Sequence, residues 1–152
     1  MRDRIYVHVV WTTRERQPLI DLAVARFLAR YFRAVANQER AGIHALGLVT
    51  THVHVVLQLH PTTSISKLLQ RLKGGSSVLS NREGHSPVAR PLRWAKGYNI
   101  ESVSPRGLVA ARTYVLSQSQ RHPQDAIPGW ENRIVPDVFA AESRDSAMCP
   151  SE

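Results

Sequence analysis

Two strand-like runs joined by only two residues constrain this chain more than any other feature. Residues 43–49, Ile43-His44-Ala45-Leu46-Gly47-Leu48-Val49, and residues 52–59, His52-Val53-His54-Val55-Val56-Leu57-Gln58-Leu59, are separated by Thr50-Thr51 alone. A two-residue link is too short for a crossover, so the pair predicts an antiparallel hairpin, although Thr-Thr lacks the usual Gly or Asn of such turns. Pro61 ends the second run. Successive strand residues point to opposite faces. His52 and His54 therefore project side by side, while Val53, Val55 and Leu57 point the other way. Two imidazoles side by side on a stiff strand supply two ligands of a metal site that still needs a third.

The rest of the chain builds around this hairpin. Residues 4–12, Arg4-Ile5-Tyr6-Val7-His8-Val9-Val10-Trp11-Thr12, read as a central strand. Asp21 caps a helix to about Ala41, with Gly42 as its stop, and Leu22, Ala25, Leu28, Ala29, Phe32 and Val35 form its apolar stripe. Ser64 caps a second helix over about 65–81, with Ile65, Leu68, Leu69, Leu72 and Val78 as apolar positions. Residues 97–103 read as a fourth strand, and Ser104-Pro105 opens a third helix over about 106–121, closed by His122-Pro123. The order β-α-β-β-α-β-α is the split βαβ pattern of an α+β, ferredoxin-like sandwich with an antiparallel sheet and an appended C-terminal helix. Residues 1–122 are expected to form the catalytic domain and 123–152 a C-terminal extension, disordered over 142–152 and free to pack across a partner subunit.

Charge narrows the partner. Twenty Lys and Arg against twelve Asp and Glu leave the chain at +8 with a pI near 10.5. Such an excess in one small domain favours a polyanion by counterion release and steering, and nucleic acid is the expected partner. No run approaches the length of a membrane span. The single Cys149 excludes disulfides or a cysteine zinc site within the chain. With no apolar leader after Met1, the expected setting is a reducing cytoplasm, beside the nucleoid.

The last helix carries Tyr114-Val115-Leu116-Ser117-Gln118. Tyr114 and Gln118 are four apart and share a helical face. Laid over the histidine strand, that face would bring an amide oxygen as third ligand and a phenol beside the metal. An ion held by two imidazoles and an amide keeps positions open for phosphate and water. It can polarise a scissile phosphate, and a tyrosine oxygen can attack phosphorus and become covalently linked.

These residues resemble a known family. His-hydrophobic-His on a strand, followed by Tyr-x-x-x-Gln on a late helix, is similar to the single-tyrosine HUH transposases, including the insertion-sequence and REP-associated tyrosine transposases. Tyr6-Val7-His8-Val9-Val10-Trp11 with the following Thr12 to Ile20, Leu72-Lys73-Gly74-Gly75-Ser76-Ser77, Trp94 to Tyr98 and Tyr114 to His122 also match, so the likeness runs over roughly residues 4–122. The resemblance implies cleavage of single-stranded DNA beside a hairpin, Mg²⁺ or Mn²⁺ as cofactor, a 5′-phosphotyrosine and a free 3′-hydroxyl. It also implies a homodimer with sites that can be shared between subunits. By position, His52, His54 and Gln118 carry over as metal ligands and Tyr114 as nucleophile. The chain departs from the family at Thr50-Thr51, where Pro with Asp or Asn is common, and at Ser117 and Ser119-Gln120.

Other residues carry weaker expectations. Lys67, Arg71, Lys73 and Arg82 are expected to line a DNA groove, with Gly74 allowing close approach of phosphate, and Arg14 and Arg16 belong to the same class. A solvated basic helix face is the plain alternative. Trp11 is expected in the core, and Trp94 could stack on bases. His122 is a rival ligand or a helix-end histidine. His8 and His60 are the remaining partners for a three-histidine zinc site, and His44 and His85 are expected at the surface. Two other functions fit the fold: a catalytically silent regulator that binds DNA hairpins, and an RNA-binding sheet, which would need exposed aromatics that the histidine strand lacks.

Overall fold

The computed structural model describes residues 5–132. Strand β1 (Ile5–Thr12) leads to helix α1 (Leu22–Gln38), then β2 (Ala41–Val49) and β3 (His52–Leu59). A long helical segment follows as α2 (Ile65–Gln70), a π-helical turn (Arg71–Gly75) and α3 (Ser76–Arg82). Strand β4 (Asn99–Val103), α4 (Leu108–Leu116) and the short α5 (Gln118–Arg121) complete the elements. The sheet is antiparallel with order β2-β3-β1-β4. This is the ferredoxin-like arrangement expected from the element order, with the histidine strand next to the centre.

Alternation along the strands sorts the chain into two layers. Val7, Val9 and Trp11 of β1, Ile43, Leu46 and Leu48 of β2, and Val53, Val55, Leu57 and Leu59 of β3 bury against α1 and the α2–α3 segment. The opposite face carries a much smaller apolar cluster, Ala45, Val56 and Val115, where α4 docks. Trp11 lies in the main core, edge-on to Phe32 and Trp94, as expected.

Several boundaries differ from the sequence reading, each for a local reason. Helix α1 is capped by Asp21, which accepts from the Val24 amide at 2.9 Å. It ends at Gln38, and Arg40, not Gly42, takes the left-handed conformation, at φ 62°. The Arg40 carbonyl accepts from the His60 amide and the Thr63 hydroxyl, which ties that costly turn to the end of β3. Gly42 is already in β2, opposite Gln58. The second helix is not continuous, because the Tyr31 hydroxyl donates at 3.1 Å to the Arg71 carbonyl within the π turn. That hydroxyl occupies the space a Cβ at Gly75 would need. The last helix breaks at Ser117, whose hydroxyl donates back to the Tyr114 carbonyl at 3.0 Å. The fourth strand begins at Asn99, two residues later than expected.

The start of the C-terminal extension belongs to the same core. Ile127 and Trp130 are buried in the main cluster. Asn132 accepts from the Leu48 amide on the outer edge of β2 and from the Trp130 indole, both at 2.8 Å, and donates to Ser119 at 3.1 Å. Within this chain, residues 123–132 thus pack on the edge of β2 and into the main core. The disorder expected for 142–152 falls outside the described residues.

Candidate functional site

The face that α4 covers gathers five side chains from four elements. His52 and His54 stand side by side on β3, with ring centroids 5.1 Å apart, and both are buried. Tyr114 of α4 lies edge-on to His54 at 5.6 Å and is about 39% exposed, so its phenol is open to a large substrate. Gln118 of α5 is fully buried. His8 enters from β1, stacked on His54 at 5.2 Å and edge-on to Tyr114 at 5.9 Å. A single chain therefore brings together all four residues that the sequence singled out.

Glycine makes this docking possible. Gly47 lies directly across from His54 in the β2–β3 register. A Cβ there would overlap the Val115 carbonyl, so the backbone of α4 rests on the bare backbone of β2. Arg112 of α4 donates to His44 Nδ1 at 2.9 Å, and His44 Nε2 meets the Gln58 amide at 2.9 Å. His44 occupies the β2 bulge between Ile43 and Ala45 and anchors α4. It is partly buried there, not a free surface residue. His85 likewise stacks on Phe27 at 4.5 Å.

Hydrogen bonds set which atoms face the open site. His52 Nδ1 meets the Thr51 hydroxyl at 2.9 Å, and His54 Nδ1 meets His8 Nε2 at 3.0 Å. Both Nδ1 atoms are thus engaged, and Nε2 is the other nitrogen of each ring. Thr51 is one of the departures from the family pattern, and its hydroxyl still holds the first histidine. Gln118 Nε2 donates to the Tyr114 carbonyl at 3.0 Å, which turns Oε1 the other way. Oε1 is buried with no hydrogen-bond partner, though it lies near enough to favour a proton on His52. A buried acceptor left open costs about 1–3 kcal/mol, a deficit that a cation would remove. Two imidazole nitrogens and an amide oxygen suit a divalent ion with open positions.

Electrostatics keep the imidazoles neutral. Burial lowers the pKa of all three histidines, and His54, also facing His52, His8 and His122, is lowered to about 3. Neutral imidazole is the form that binds a metal. Among the described residues, no three His, Cys, Asp or Glu side chains are grouped to hold a metal, so the three-histidine zinc arrangement does not form. His60 instead meets the Thr62 hydroxyl at 2.7 Å.

Two neighbours were under-read from sequence. His122 lies edge-on to His52 at 5.3 Å, but among the described residues it joins no group of three His, Cys, Asp or Glu side chains placed to hold a metal. The Arg121 guanidinium lies 4.5 Å from the Tyr114 ring centre and donates to Ser117 Oγ at 2.8 Å. Its i+7 spacing from Tyr114 was the available signal. A groove of about 810 Å³ opens beside Tyr114 and His54, lined also by His8, Asn99, Glu101 and Ser104.

The expected DNA-contact residues divide between places. Arg14 and Arg16 follow β1 in a turn where Glu15 and Arg16 hold φ of 55° and 54°, and the charge of Arg16 reaches His52. Arg14 lines a cleft of about 440 Å³ with Arg90 and Arg93. Lys67, Arg71, Lys73, Gly74 and Arg82 belong to the helical layer on the other side of the sheet. Arg71 pairs with Glu39 at 2.8 Å and Lys67 approaches it at 3.7 Å. Lys73 donates to the Ala95 and Gly97 carbonyls at 3.0 and 2.6 Å, pinning the loop that carries Trp94. Trp94 donates in turn to the Lys73 carbonyl at 2.9 Å. Around Gly74 the space is open.

Comparison with known proteins follows this geometry. Residues 2–118 match the family model described as "Transposase IS200 like". Among solved structures, a candidate transposase from Deinococcus radiodurans R1 superposes with a TM-score of 0.56 at 23% identity, over 78% of this chain and 93% of that one. A REP-associated tyrosine transposase bound to a REP hairpin superposes with a TM-score of 0.62 at 12% identity, over 80% of this chain and 72% of that one. No protein of curated function matches the chain significantly.

Proposed function

The chain belongs to the IS200-like transposase family, and from that membership we propose that it nicks and rejoins single-stranded DNA through Tyr114. One observation carries the reading: the exposed Tyr114 ring lies 5.6 Å, centre to centre, from His54 of a buried histidine pair, with the buried, unpartnered Gln118 oxygen one helical turn further on. In the first step the Tyr114 hydroxyl gives up its proton to solvent and its oxygen attacks phosphorus. The bond from phosphorus to the 3′ oxygen breaks, that oxygen takes a proton, and phosphorus stays on tyrosine as a 5′-phosphotyrosine. A free 3′-hydroxyl reverses the step and joins strands, without ATP.

His52, His54 and Gln118 would hold Mg²⁺ or Mn²⁺, which supplies positive charge to the phosphate as it gains charge in the transition state. Arg121, above the phenol, adds positive charge on the same side. The substrate reading follows the family and the REP-associated neighbour: a strand bearing a hairpin near the cleavage point, at the end of a small insertion sequence or a REP-type palindrome. Arg14, with Arg90 and Arg93 of its cleft, and Arg16 beside it follow the end of β1 that pairs with His52 and would track the backbone there. Gly74 and Arg82 are available to duplex DNA on the far layer, whereas Lys67, Arg71 and Lys73 already have protein partners.

The test is an end-labelled strand from the DNA flanking the gene, incubated with protein and Mn²⁺ and run on a denaturing gel. A covalent adduct absent in Tyr114→Phe is the expected outcome. An adduct that persists in Tyr114→Phe overturns the assignment. Hairpin binding with no cleavage in Mn²⁺ favours the silent regulator instead.

A further inference from the structure

His8, stacked on the ligand candidate His54, has no part in the reading above. Its Nε2 lies 3.0 Å from Nδ1 of His54, and the two rings are stacked within 25° of parallel. A hydrogen bond between two neutral imidazoles needs one N–H and one bare nitrogen, so it can run in either of two directions. If His8 donates, His54 keeps its own proton on Nε2 and offers no lone pair to the open site. If His54 donates from Nδ1, its Nε2 is bare and points outward as a ligand.

Sheet order decides between them. Strand β1 lies between β3 and β4, so His54 approaches His8 from one side and β4 from the other. Across the β1–β4 register the partner of His8 is Glu101, and both line the groove beside Tyr114. A carboxylate on that side favours a proton on His8 Nδ1 and leaves His8 Nε2 as an acceptor. Glu101 is also the charge that opposes the effect of burial on His8.

We propose that His8 is a positioning residue that accepts a hydrogen bond from His54 Nδ1 and thereby fixes Nε2 of His54 as the metal-binding atom, with Glu101 holding His8 in the accepting tautomer. The inference rests on the reading of His54 as a ligand. It extends the site one layer outward, as a carboxylate–histidine–histidine series ending at the ion. Partners of this kind orient a ligand and raise its basicity, and losing one typically costs roughly 10–100-fold in metal affinity. His52 is held in the matching way by the Thr51 hydroxyl.

Nitrogen-15 NMR of the imidazoles in the metal-free full chain reads the tautomer directly. The expected spectrum has His54 protonated on Nδ1 and bare on Nε2. Two variants separate hydrogen bonding from packing. His8→Phe keeps a ring in the stack but offers no acceptor, so His54 should become a mixture of tautomers and Mn²⁺ affinity by calorimetry should fall roughly tenfold or more. His8→Gln offers an amide oxygen to the same proton and should restore both. A wild-type His54 protonated on Nε2 overturns the proposal. So does a His8→Phe protein with unchanged tautomer and Mn²⁺ affinity. Neither measurement requires cleavage, so failure here leaves the Tyr114 assignment standing. Loss of the Tyr114 assignment in turn leaves the tautomer result intact.

Discussion

At the scale of single residues, burial decides protonation, and protonation decides what the site can bind. An unfolded histidine titrates near 6.5, whereas His54 in the fold is lowered to about 3. Between those values the unfolded chain binds more protons than the folded one, so stability is intact above about pH 6.5 and falls as pH drops through the window. His52 and His8 shift in the same direction. Denaturation of metal-free protein across this range should show decreasing stability toward acid, by at most about 1.4 kcal/mol per pH unit from His54. His54→Asn should flatten the slope. Gln118 makes a second residue-scale prediction. Its unpartnered oxygen costs the metal-free fold, so Gln118→Met should be near neutral in thermal unfolding without metal. Mn²⁺ should raise the unfolding temperature of the wild type, and the same variant should lose most of that gain. His52, His54, Tyr114 and Gln118 were legible because their spacing on a strand and a helix fixes which side they face. His8 was visible as a residue but not as a partner: it meets His54 across 46 positions of sequence, through a strand register that local pattern does not determine.

Among the elements, α4 is the one whose placement the site depends on, and it is held by little apolar burial. It buries only Val115, against Ala45 and Val56, and leans on Gly47 and the Arg112–His44 bond. Gly47→Ala should force α4 off the sheet, because its Cβ meets a backbone carbonyl that cannot rotate away. Overpacking of this kind costs about 1–3 kcal/mol, and a misplacement near 1 Å can cost about 100-fold in rate. The expected result is a large loss of adduct formation at a modest loss of stability, read by gel and by denaturant titration. Sequence periodicity located α1, the hairpin and the later helices. It missed the π turn and the break at Ser117, because a tyrosine from α1 and a serine bonding its own helix produce them, not apolar spacing.

For the whole molecule, the sheet separates two kinds of surface, and the C-terminal segment closes its edge. Trp130 is buried in the main core although it lies beyond the family match. Trp130→Ala should cost about 3–5 kcal/mol in chemical denaturation, the usual range for deleting a buried indole. A tail that only bridged to a partner would show no such loss in dilute monomer. The sparse apolar content after Pro123 concealed this role, since two anchors suffice when the core already exists. Net charge is also a property of the whole: at +8, affinity for any oligonucleotide should fall steeply and log-linearly with salt, whatever its sequence.

The sheet is one residue thick, and neighbours along β3 serve opposite layers. Val53 and Val55 are fully buried in the core, while His52 and His54 face α4. Inheritance can therefore act on the two sets separately. Drift that erases His54 or Tyr114 leaves the valines, and so the fold, in place. Drift in the valines unfolds chains whose chemistry is still complete. Descendants of such a protein should thus include well-folded chains without the histidine–tyrosine set, and far fewer with that set on a damaged core.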